Sequence, residues 1–189
     1  SIIEESKNFG LDISTCEQPV PIGTGDAVKC GIHEVKDASK VLVLYGDVPL
    51  IKQNTIEELI NASGDGLSIL TTELDDPYGY GRVKKNPEGY ATGIIEEKDA
   101  SNEEKEIKEV FTGILCSSTN ILKDSLSEID NNNAAGEFYL TDIVSIMNNK
   151  GIKINTYLAS NDEVKGANSK KELAQLEAIY RSMKVEDLL

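Results

Sequence analysis

Asp47 is the residue whose sequence context best suits it for chemistry, because it follows the apolar run at residues 40–45. Gly46 and Pro49 on either side of it end the strand that this run predicts, and they leave Asp47 at the carboxyl end of that strand. Ligands of open α/β sheets bind beyond such strand ends, and a carboxylate there can hold a magnesium ion that bridges phosphate oxygens. The same position also suits an aspartate that only satisfies turn amides, so Asp47 alone decides nothing.

Other positions carry weaker signals. Residues 23–25 (Gly-Thr-Gly) precede a predicted helix and would let a base or a phosphate approach the backbone, although their spacing matches neither the Rossmann fingerprint nor the P-loop. Asn168 by itself indicates a helix cap, and Tyr139 by itself indicates a core or rim aromatic residue. The single histidine, His33, has no nucleophile placed beside it, so a Ser/His/Asp or Cys/His hydrolytic site has no support.

Composition excludes several classes of protein. The 189 residues include 33 acidic and 19 basic side chains, and the net charge of −14 argues against nucleic-acid binding. No apolar run approaches the roughly 18 residues that a membrane span needs. The three cysteines are widely spaced and have one histidine to help them, which excludes a structural zinc site and predicts a reducing, cytoplasmic environment. A phosphorylated substrate would need local cations, backbone N–H groups or magnesium to overcome the negative field.

Apolar patterning predicts an α/β fold. A central strand at 40–45, a helix capped by Asn54 and a strand at 67–72 predict a parallel βαβ unit. Short β-rich pieces at 80–84, 91–96 and 110–117 predict a small β-rich insertion beside the main sheet.

Further helices and one more strand are predicted on either side of that insertion. The patterns place helices at 26–35, 121–129 and 139–150 and a strand at 152–158. The last helix is predicted to be capped by Ser169, with Glu172 completing a capping box.

Four strings of residues, standing in this order, resemble one family of enzymes. They are residues 44–50 (Leu-Tyr-Gly-Asp-Val-Pro-Leu), 75–82, 93–100 and 131–142, the last of which runs from three asparagines into Gly-Glu-Phe-Tyr-Leu-Thr-Asp. The first string is similar to sugar-phosphate nucleotidyltransferases in general. The last resembles the uridyltransferase domain of the bacterial bifunctional N-acetylglucosamine-1-phosphate uridyltransferase/glucosamine-1-phosphate acetyltransferase. The resemblance covers nearly all of the chain and implies a Rossmann-like (GT-A-like) mixed sheet flanked by helices.

The resemblance implies a reaction and its partners. UTP and N-acetylglucosamine 1-phosphate would give UDP-N-acetylglucosamine and pyrophosphate, with Mg²⁺ as the cofactor. Neither a catalytic nucleophile nor a base is implied, because the attacking sugar phosphate is already an anion and catalysis rests on alignment and charge neutralisation. The product would supply peptidoglycan (cell wall) and lipopolysaccharide synthesis in the cytoplasm.

The resemblance also implies which residues contact the substrates. The matched positions are Gln18, Gly23, Thr24, Tyr45, Gly46, Gly81, Glu96, Tyr139, Thr141 and Asn168. The first three would read the uracil, the next two would border the nucleotide, and the four from Gly81 to Thr141 would surround the N-acetylglucosamine. Asp47 and Asn168 would supply the two oxygen ligands to magnesium.

The chain also departs from the family, which opens with a strand and a glycine-rich, arginine-containing loop that holds the triphosphate. We therefore expect residues 1–168 to form an N-terminally incomplete uridyltransferase domain and residues 169–189 a C-terminal linker helix. The acetyltransferase β-helix domain is expected to be absent, and with it the family trimer. We expect an impaired enzyme when this chain is assayed alone.

Phe111 stands where the family commonly has an asparagine that bonds a sugar hydroxyl, so the choice of sugar stays open. Two alternatives follow. One is a nucleotidyltransferase for another sugar 1-phosphate, and the other is a non-catalytic module that binds nucleotide sugars.

Overall fold

The structure, a computed structural model, describes residues 2–10, 13–36 and 38–186. Within them, six strands form one mixed sheet: β1 (Lys40–Val43), β2 (Leu67–Glu73), β3 (Arg82–Lys85), β4 (Ala91–Ile95), β5 (Glu109–Ser118) and β6 (Ile154–Leu158). The α-helices are α1 (Ile2–Asn8), α2 (Thr24–Ile32), α3 (Gln53–Ala62), α4 (Asn102–Lys105), α5 (Thr119–Leu126), α6 (Asp142–Asn149) and α7 (Lys170–Glu186). A 3₁₀ helix spans Asn161–Val164.

The order of the strands sets where the loops of the molecule meet. From one edge to the other, the order is β1-β5-β2-β6-β4-β3. β5 runs antiparallel to both β1 and β2, and β6 runs parallel to β2. β1, β2 and β6 therefore run in the same direction, and the loops after β1 and β6 leave the sheet at the same end of the strands. β4 and β3 extend the other side as an antiparallel hairpin.

Apolar side chains cover both faces of the sheet, as the alternation along β2 shows. Leu67 and Ile69 join a core built with α2, α5 and α6, which includes Met147. Leu70 points to a smaller core on the other face, where it packs with Leu59 of α3. All but the last residue of β2 are buried, so this strand lies between helices on either side.

β5 is the longest strand, and it bends at Gly113. The step from Ile69 to Thr71 on β2 is matched on β5 by the longer step from Leu115 to Phe111, which marks a β-bulge. Gly113 has a φ of +89°, a conformation that residues with a side chain rarely adopt. The bulge lies where the sheet borders the candidate site.

The predicted α/β class, with a mixed sheet flanked by helices, is confirmed. The central position predicted for the strand at 40–45 is wrong, because β1 is the edge strand within the described part of the chain and its residues are all partly exposed. An apolar run indicates burial, but strand order depends on pairing with residues far away in sequence. β1 and β2 are parallel as predicted, with β5 lying between them.

The three β-rich pieces predicted as an insertion are integral to the sheet. β5 lies within it, and the β3–β4 hairpin joins it through pairings of β4 with β6 and of β3 with β5. The predicted cap at Asn54 is also wrong, because α3 begins at Gln53 with Lys52 as its N-cap and has no side-chain cap hydrogen bond.

The predicted cap of the last helix is confirmed. The Ser169 hydroxyl accepts a hydrogen bond from the Glu172 N–H at 3.2 Å. The Glu172 carboxylate in turn accepts from the N–H of Asn168 at 2.7 Å, one residue earlier than a standard capping box. Across the helices that the structure describes, none has the length and apolarity needed to cross a membrane.

Candidate active site

Two loops meet beyond the carboxyl ends of β1 and β6. The Ala167 N–H donates a hydrogen bond to the carbonyl oxygen of Asp47 at 3.0 Å. A Cβ on Gly166 would lie 3.4 Å from Asp47 Oδ2, so the two loops are in van der Waals contact. As a result, Asp47 and Asn168 line the same cavity, which has a volume of about 690 Å³.

The segment between β6 and α7, which carries Asn168, is held by a buried carboxylate. Glu163 Oε2 accepts a hydrogen bond from the Thr55 hydroxyl at 2.6 Å, and Glu163 Oε1 accepts from Ser160 at 3.0 Å and pairs with Lys52 at 3.2 Å. Burial alone raises the pKa of Glu163, but these hydrogen bonds outweigh burial and lower it. The anion thus ties this segment to the start of α3.

The side chains of Asp47 and Asn168 fit a magnesium ion by their chemistry. Both residues are exposed to the cavity, and they offer a carboxylate and an amide oxygen, the hard ligands that magnesium prefers. No cluster of three or more His, Cys, Asp or Glu side chains that could hold a metal occurs among residues 2–10, 13–36 and 38–186. A metal at this place would therefore be held by these two residues and completed by water and substrate.

A second cavity, of about 210 Å³, shares Tyr45, Tyr80 and Thr112 with the first. We call the two cavities together the cleft. The second cavity holds three of the four residues predicted to surround the sugar, namely Gly81, Glu96 and Thr141. The cleft therefore has an end with metal-ligand chemistry and an end with hydroxyl-binding chemistry.

Glu96 is a partly buried carboxylate whose orientation is fixed by a neighbour. The Thr141 hydroxyl donates to Glu96 Oε1 at 2.9 Å. Burial raises the pKa of Glu96 above its ordinary value, although the Thr141 hydrogen bond opposes the rise. A Cβ on Gly81 would lie 2.7 Å from Ile94 Cγ2 and 3.5 Å from Glu96 Oε1, so a side chain at position 81 would fill the space next to this carboxylate.

Tyr45 forms the wall shared by the two cavities, and the bulge in β5 makes room for it. A Cβ on Gly113 would overlap the ring of Tyr45. The ring thus lies directly on the backbone of the bulge. Burial raises the pKa of the Tyr45 hydroxyl, and the negative charges of Glu96 and Asp47 raise it further, as expected of a phenol between the two ends of the cleft.

The residues predicted to read uracil form a tight loop at the start of α2. Gln18 Nε2 donates to the Gly23 carbonyl at 3.1 Å and to Asp26 Oδ2 at 2.8 Å, which leaves the amide oxygen as the group able to accept from a base N–H. Gly23 has a φ of +132°, and a Cβ on it would overlap the backbone of Phe138. The Gly25 N–H donates to the Phe138 carbonyl at 2.8 Å, so this loop packs on the segment that leads to Thr141.

The remaining predicted residues lie at different distances from the cleft. Thr24 lines it, and its hydroxyl accepts a hydrogen bond from the Leu140 N–H at 3.2 Å. Gly46 is exposed between two cleft residues. Tyr139, which was also predicted to surround the sugar, instead lines two neighbouring cavities of about 240 and 330 Å³, which also include Glu96.

The structure thus brings together around the cleft Thr24, Tyr45, Asp47, Gly81, Glu96, Thr141 and Asn168. Tyr80 and Thr112, which join its two ends, were not among the predicted site residues. Tyr80 had an available signal, because it stands between two glycines in one of the four strings of residues. Thr112 had none, since it reaches the cleft only through the bulge. The first half of α7 also lines the cleft, including Glu172 and Gln175.

Comparison with known proteins identifies the family. A family model of the MobA-like NTP transferase domain matches residues 2–112, which is more than half of the chain. The chain belongs to this family. The predicted assignment to the nucleotidyltransferases is therefore confirmed.

Several curated bacterial proteins are similar to this chain, and each is named Bifunctional protein GlmU. The protein of Idiomarina loihiensis is 42% identical over 182 residues, and that of Methylococcus capsulatus is 46% identical over 173 residues. These alignments cover 95% and 90% of this chain but 40% and 38% of those proteins. The chain thus spans about 40% of the length of its curated relatives. The resemblance to the bifunctional family, drawn from the four strings of residues, is confirmed.

The fold of this chain is also found in a solved structure. A CMP:2-keto-3-deoxy-manno-octonic acid synthetase complexed with CTP superposes with a TM-score of 0.67 at 16% sequence identity. The match covers 96% of this chain and 77% of that one. At this identity, the likeness shows the shared fold.

Proposed function

We propose that this chain carries the site for uridylyl transfer from UTP to N-acetylglucosamine 1-phosphate, which gives UDP-N-acetylglucosamine and pyrophosphate. One observation carries the proposal: a single cleft has Asp47 and Asn168 at one end and Glu96 beside Gly81 at the other. Membership of the MobA-like NTP transferase family and the GlmU relatives support it.

In this reaction, a phosphate oxygen of the sugar 1-phosphate attacks the α-phosphorus of UTP. The bond from that phosphorus to the bridging oxygen of the β-phosphate breaks, and pyrophosphate leaves. Because the nucleophile is already an anion, it needs no base on the protein, and the chain's task is to align the two substrates. Tyr45, which lies between the two ends of the cleft, is the wall along which they would meet.

Asp47 and Asn168 would hold the magnesium ion, which when bound would neutralise negative charge between the phosphates. The contact between their loops, through the Ala167 N–H, fixes Asp47 relative to Asn168 before substrate arrives. Lys165 also lines this cavity, but its ammonium pairs with Asp162 at 2.6 Å. The magnesium ion would therefore be the main group that offsets the repulsion between two anionic substrates and a chain with a net charge of −14.

At the other end of the cleft, Glu96 would accept hydrogen bonds from sugar hydroxyls. Thr141 occupies Oε1 of this carboxylate, which leaves Oε2 for the ligand. Gly81 would leave room for the acetamido group of the sugar, because a side chain there would fill that space. Phe111, which is 7% exposed, lines the same cavity with an apolar ring and would favour a non-polar face of the sugar.

We infer that the reaction takes place in a reducing cytoplasm and supplies peptidoglycan and lipopolysaccharide synthesis. Cys16, Cys30 and Cys116 are free thiols, which suits such a compartment.

The test is calorimetric titration of the chain with UDP-N-acetylglucosamine, with and without magnesium. Binding is expected to require magnesium, and Asp47→Asn and Asn168→Ala should each weaken it by at least about tenfold, the cost of losing a charge-assisted ligand. Asp65→Asn is the matched control. Asp65 is exposed just before the amino end of β2, at the opposite end of the strands from the cleft.

Two further arms of the titration separate the alternatives. Glu96→Gln should weaken binding of UDP-N-acetylglucosamine and leave binding of UDP unchanged. Magnesium-independent binding that Asp47→Asn does not alter would contradict the proposal. Tight binding of UDP-N-acetylglucosamine with neither UTP binding nor pyrophosphate release would identify a non-catalytic module. Turnover of glucose 1-phosphate that is faster than turnover of N-acetylglucosamine 1-phosphate would identify a nucleotidyltransferase for another sugar.

A further inference from the structure

Arg82, the first residue of β3, is a buried cation that the proposed reaction does not use. Its side chain is 2% exposed. A buried guanidinium destabilises the fold unless hydrogen-bond acceptors and a counter-charge surround it. Among the described residues, its Nε–H has no hydrogen-bond partner, so the contacts of its two Nη groups are what compensate for its burial.

Arg82 contacts the loop at residues 79–81, which lines the cleft beside Glu96, both directly and through Glu97. Its Nη1 donates to the carbonyl oxygen of Tyr80, and its Nη2 pairs with Glu97 Oε2 at 2.6 Å. The same Glu97 oxygen accepts the N–H of Gly79 at 3.3 Å. Lys105 lies 3.6 Å from the other oxygen of Glu97 and has no contact of this kind with the loop. Arg82 and its partly exposed partner Glu97 therefore hold two consecutive residues of the loop, Gly79 and Tyr80.

The position of residues 79–81 decides the shape of the pocket around Glu96. All three line the cleft. The Gly81 carbonyl accepts a hydrogen bond from the Phe111 N–H at 2.9 Å, and the Gly81 α-carbon lies close to Ile94. A small shift of this loop would therefore close or widen the space in front of the Glu96 carboxylate.

We propose that Arg82 is a positioning residue that holds residues 79–81 in place and so sets the affinity of the cleft for the sugar part of the nucleotide sugar. This inference rests on the proposed function. Arg82 acts through the loop and is not placed to touch the substrate.

An arginine suits this task better than a lysine. The planar guanidinium presents donors in two directions at once, toward the Tyr80 carbonyl and toward the Glu97 carboxylate. A lysine at position 82 could pair with Glu97 but would lack the fixed fork that also reaches the loop backbone. Arg82→Lys should therefore keep the ion pair, and with it the contact of Glu97 with Gly79, but lose the hydrogen bond that holds the Tyr80 carbonyl.

The experiment measures, by calorimetry with magnesium present, how much tighter UDP-N-acetylglucosamine binds than UDP. This ratio isolates the sugar contribution from the nucleotide contribution. In the double variant Arg82→Met with Glu97→Leu, the ratio should fall by about tenfold, the equivalent of one good hydrogen bond. The affinity for UDP should stay within about twofold of the wild type.

Two further variants separate positioning from folding. Replacing both members of a buried ion pair by apolar residues often leaves stability unchanged, and the melting temperature of the double variant tests this directly. Arg82→Lys provides a second route, with an expected loss of sugar preference of at least about fivefold in a folded protein. Lys105→Met is the matched control, because it removes the other cation next to Glu97 and should leave the ratio unchanged.

If the folded double variant and Arg82→Lys both keep the wild-type ratio, the inference is wrong, while the proposed function stands. A wild-type chain that shows no preference for UDP-N-acetylglucosamine over UDP overturns the proposed function and this inference with it.

Discussion

The carboxyl group of Asp142, at the start of α6, lies among several other carboxyl groups near Glu96. Burial raises its pKa to about 6, and the charges of Asp130, Glu96 and Asp99 add to the rise. The amino end of a helix favours an anion, so the surrounding charges act here against the helix dipole. The folded protein therefore binds the Asp142 proton more tightly than the unfolded chain does.

This difference gives a stability prediction with a definite sign. Because the folded pKa of about 6 lies above the ordinary value of 3.8, the contribution of Asp142 to stability is lost as the pH rises through about 6. Asp142→Asn should raise the melting temperature at about pH 8 by a few degrees, corresponding to roughly 1 kcal/mol after allowance for solvent screening. Near pH 4, the variant and the wild type should melt together.

Thermal denaturation followed by circular dichroism at both pH values measures this effect. Asp65→Asn controls for the change in net charge at an exposed aspartate. An equal gain at both pH values would show that the asparagine stabilises the fold for a reason other than charge.

Single residues of the site could be predicted to different extents. The strand and the turn around Asp47 made it a candidate without deciding its role, and the strings of residues were what predicted Asp47, Glu96 and Gly81 together. The environment of Asp142 was not, because Asp130, Asp99 and Glu96 approach it from separate elements. Sequence shows which groups are ionisable, but not which of them face one another.

At the scale of elements, the bulge in β5 determines where Tyr45 lies. Gly113 and Gly89 both have a φ of +89°, but a Cβ on Gly113 would overlap the Tyr45 ring, whereas nothing lies within 4 Å of one on Gly89. An alanine at either position would meet the same backbone strain, but only at position 113 would its methyl group also meet a neighbouring side chain. They form a matched pair for mutation to alanine.

Gly89→Ala should lose about 1 kcal/mol of unfolding free energy, the cost of a left-handed conformation. Gly113→Ala should lose roughly 1 to 3 kcal/mol more, because the methyl group must displace the Tyr45 ring. Only Gly113→Ala should also weaken binding of UDP-N-acetylglucosamine. Urea denaturation and calorimetry measure the two effects, and equal losses for the two variants would show that the ring is not held by the bulge.

The elements themselves were largely predictable, while their arrangement was not. The strand predicted at 67–72 corresponds to β2, and the predicted cap at Ser169 correctly marks the start of α7. Ser101 and Glu104 form a capping box that begins α4, so the sequence also carries a signal for this short helix. The order of the strands depends on pairings between distant residues, for which a single sequence gives no pattern.

At the scale of the whole molecule, the cleft exists because β1 and β6 are parallel, so their carboxyl ends lie on the same side of the sheet. The loops that follow these strands come from distant parts of the sequence, and they bring an acidic side chain and an amide together in a chain with a net charge of −14. A divalent cation between them would turn a repulsive surface into one that accepts phosphates. The end of the cleft at Glu96 would need no such ion, because the Glu96 carboxylate can accept hydrogen bonds from sugar hydroxyls directly.

The most direct test of this account is a crystal structure of the chain with UDP-N-acetylglucosamine and magnesium. We predict that the metal contacts the Asp47 carboxylate, the Asn168 amide oxygen and the diphosphate, and that the sugar hydroxyls lie against Glu96. A structure in which the nucleotide sugar binds away from the cleft, or in which Asp47 and Asn168 face apart with the metal elsewhere, would contradict the account.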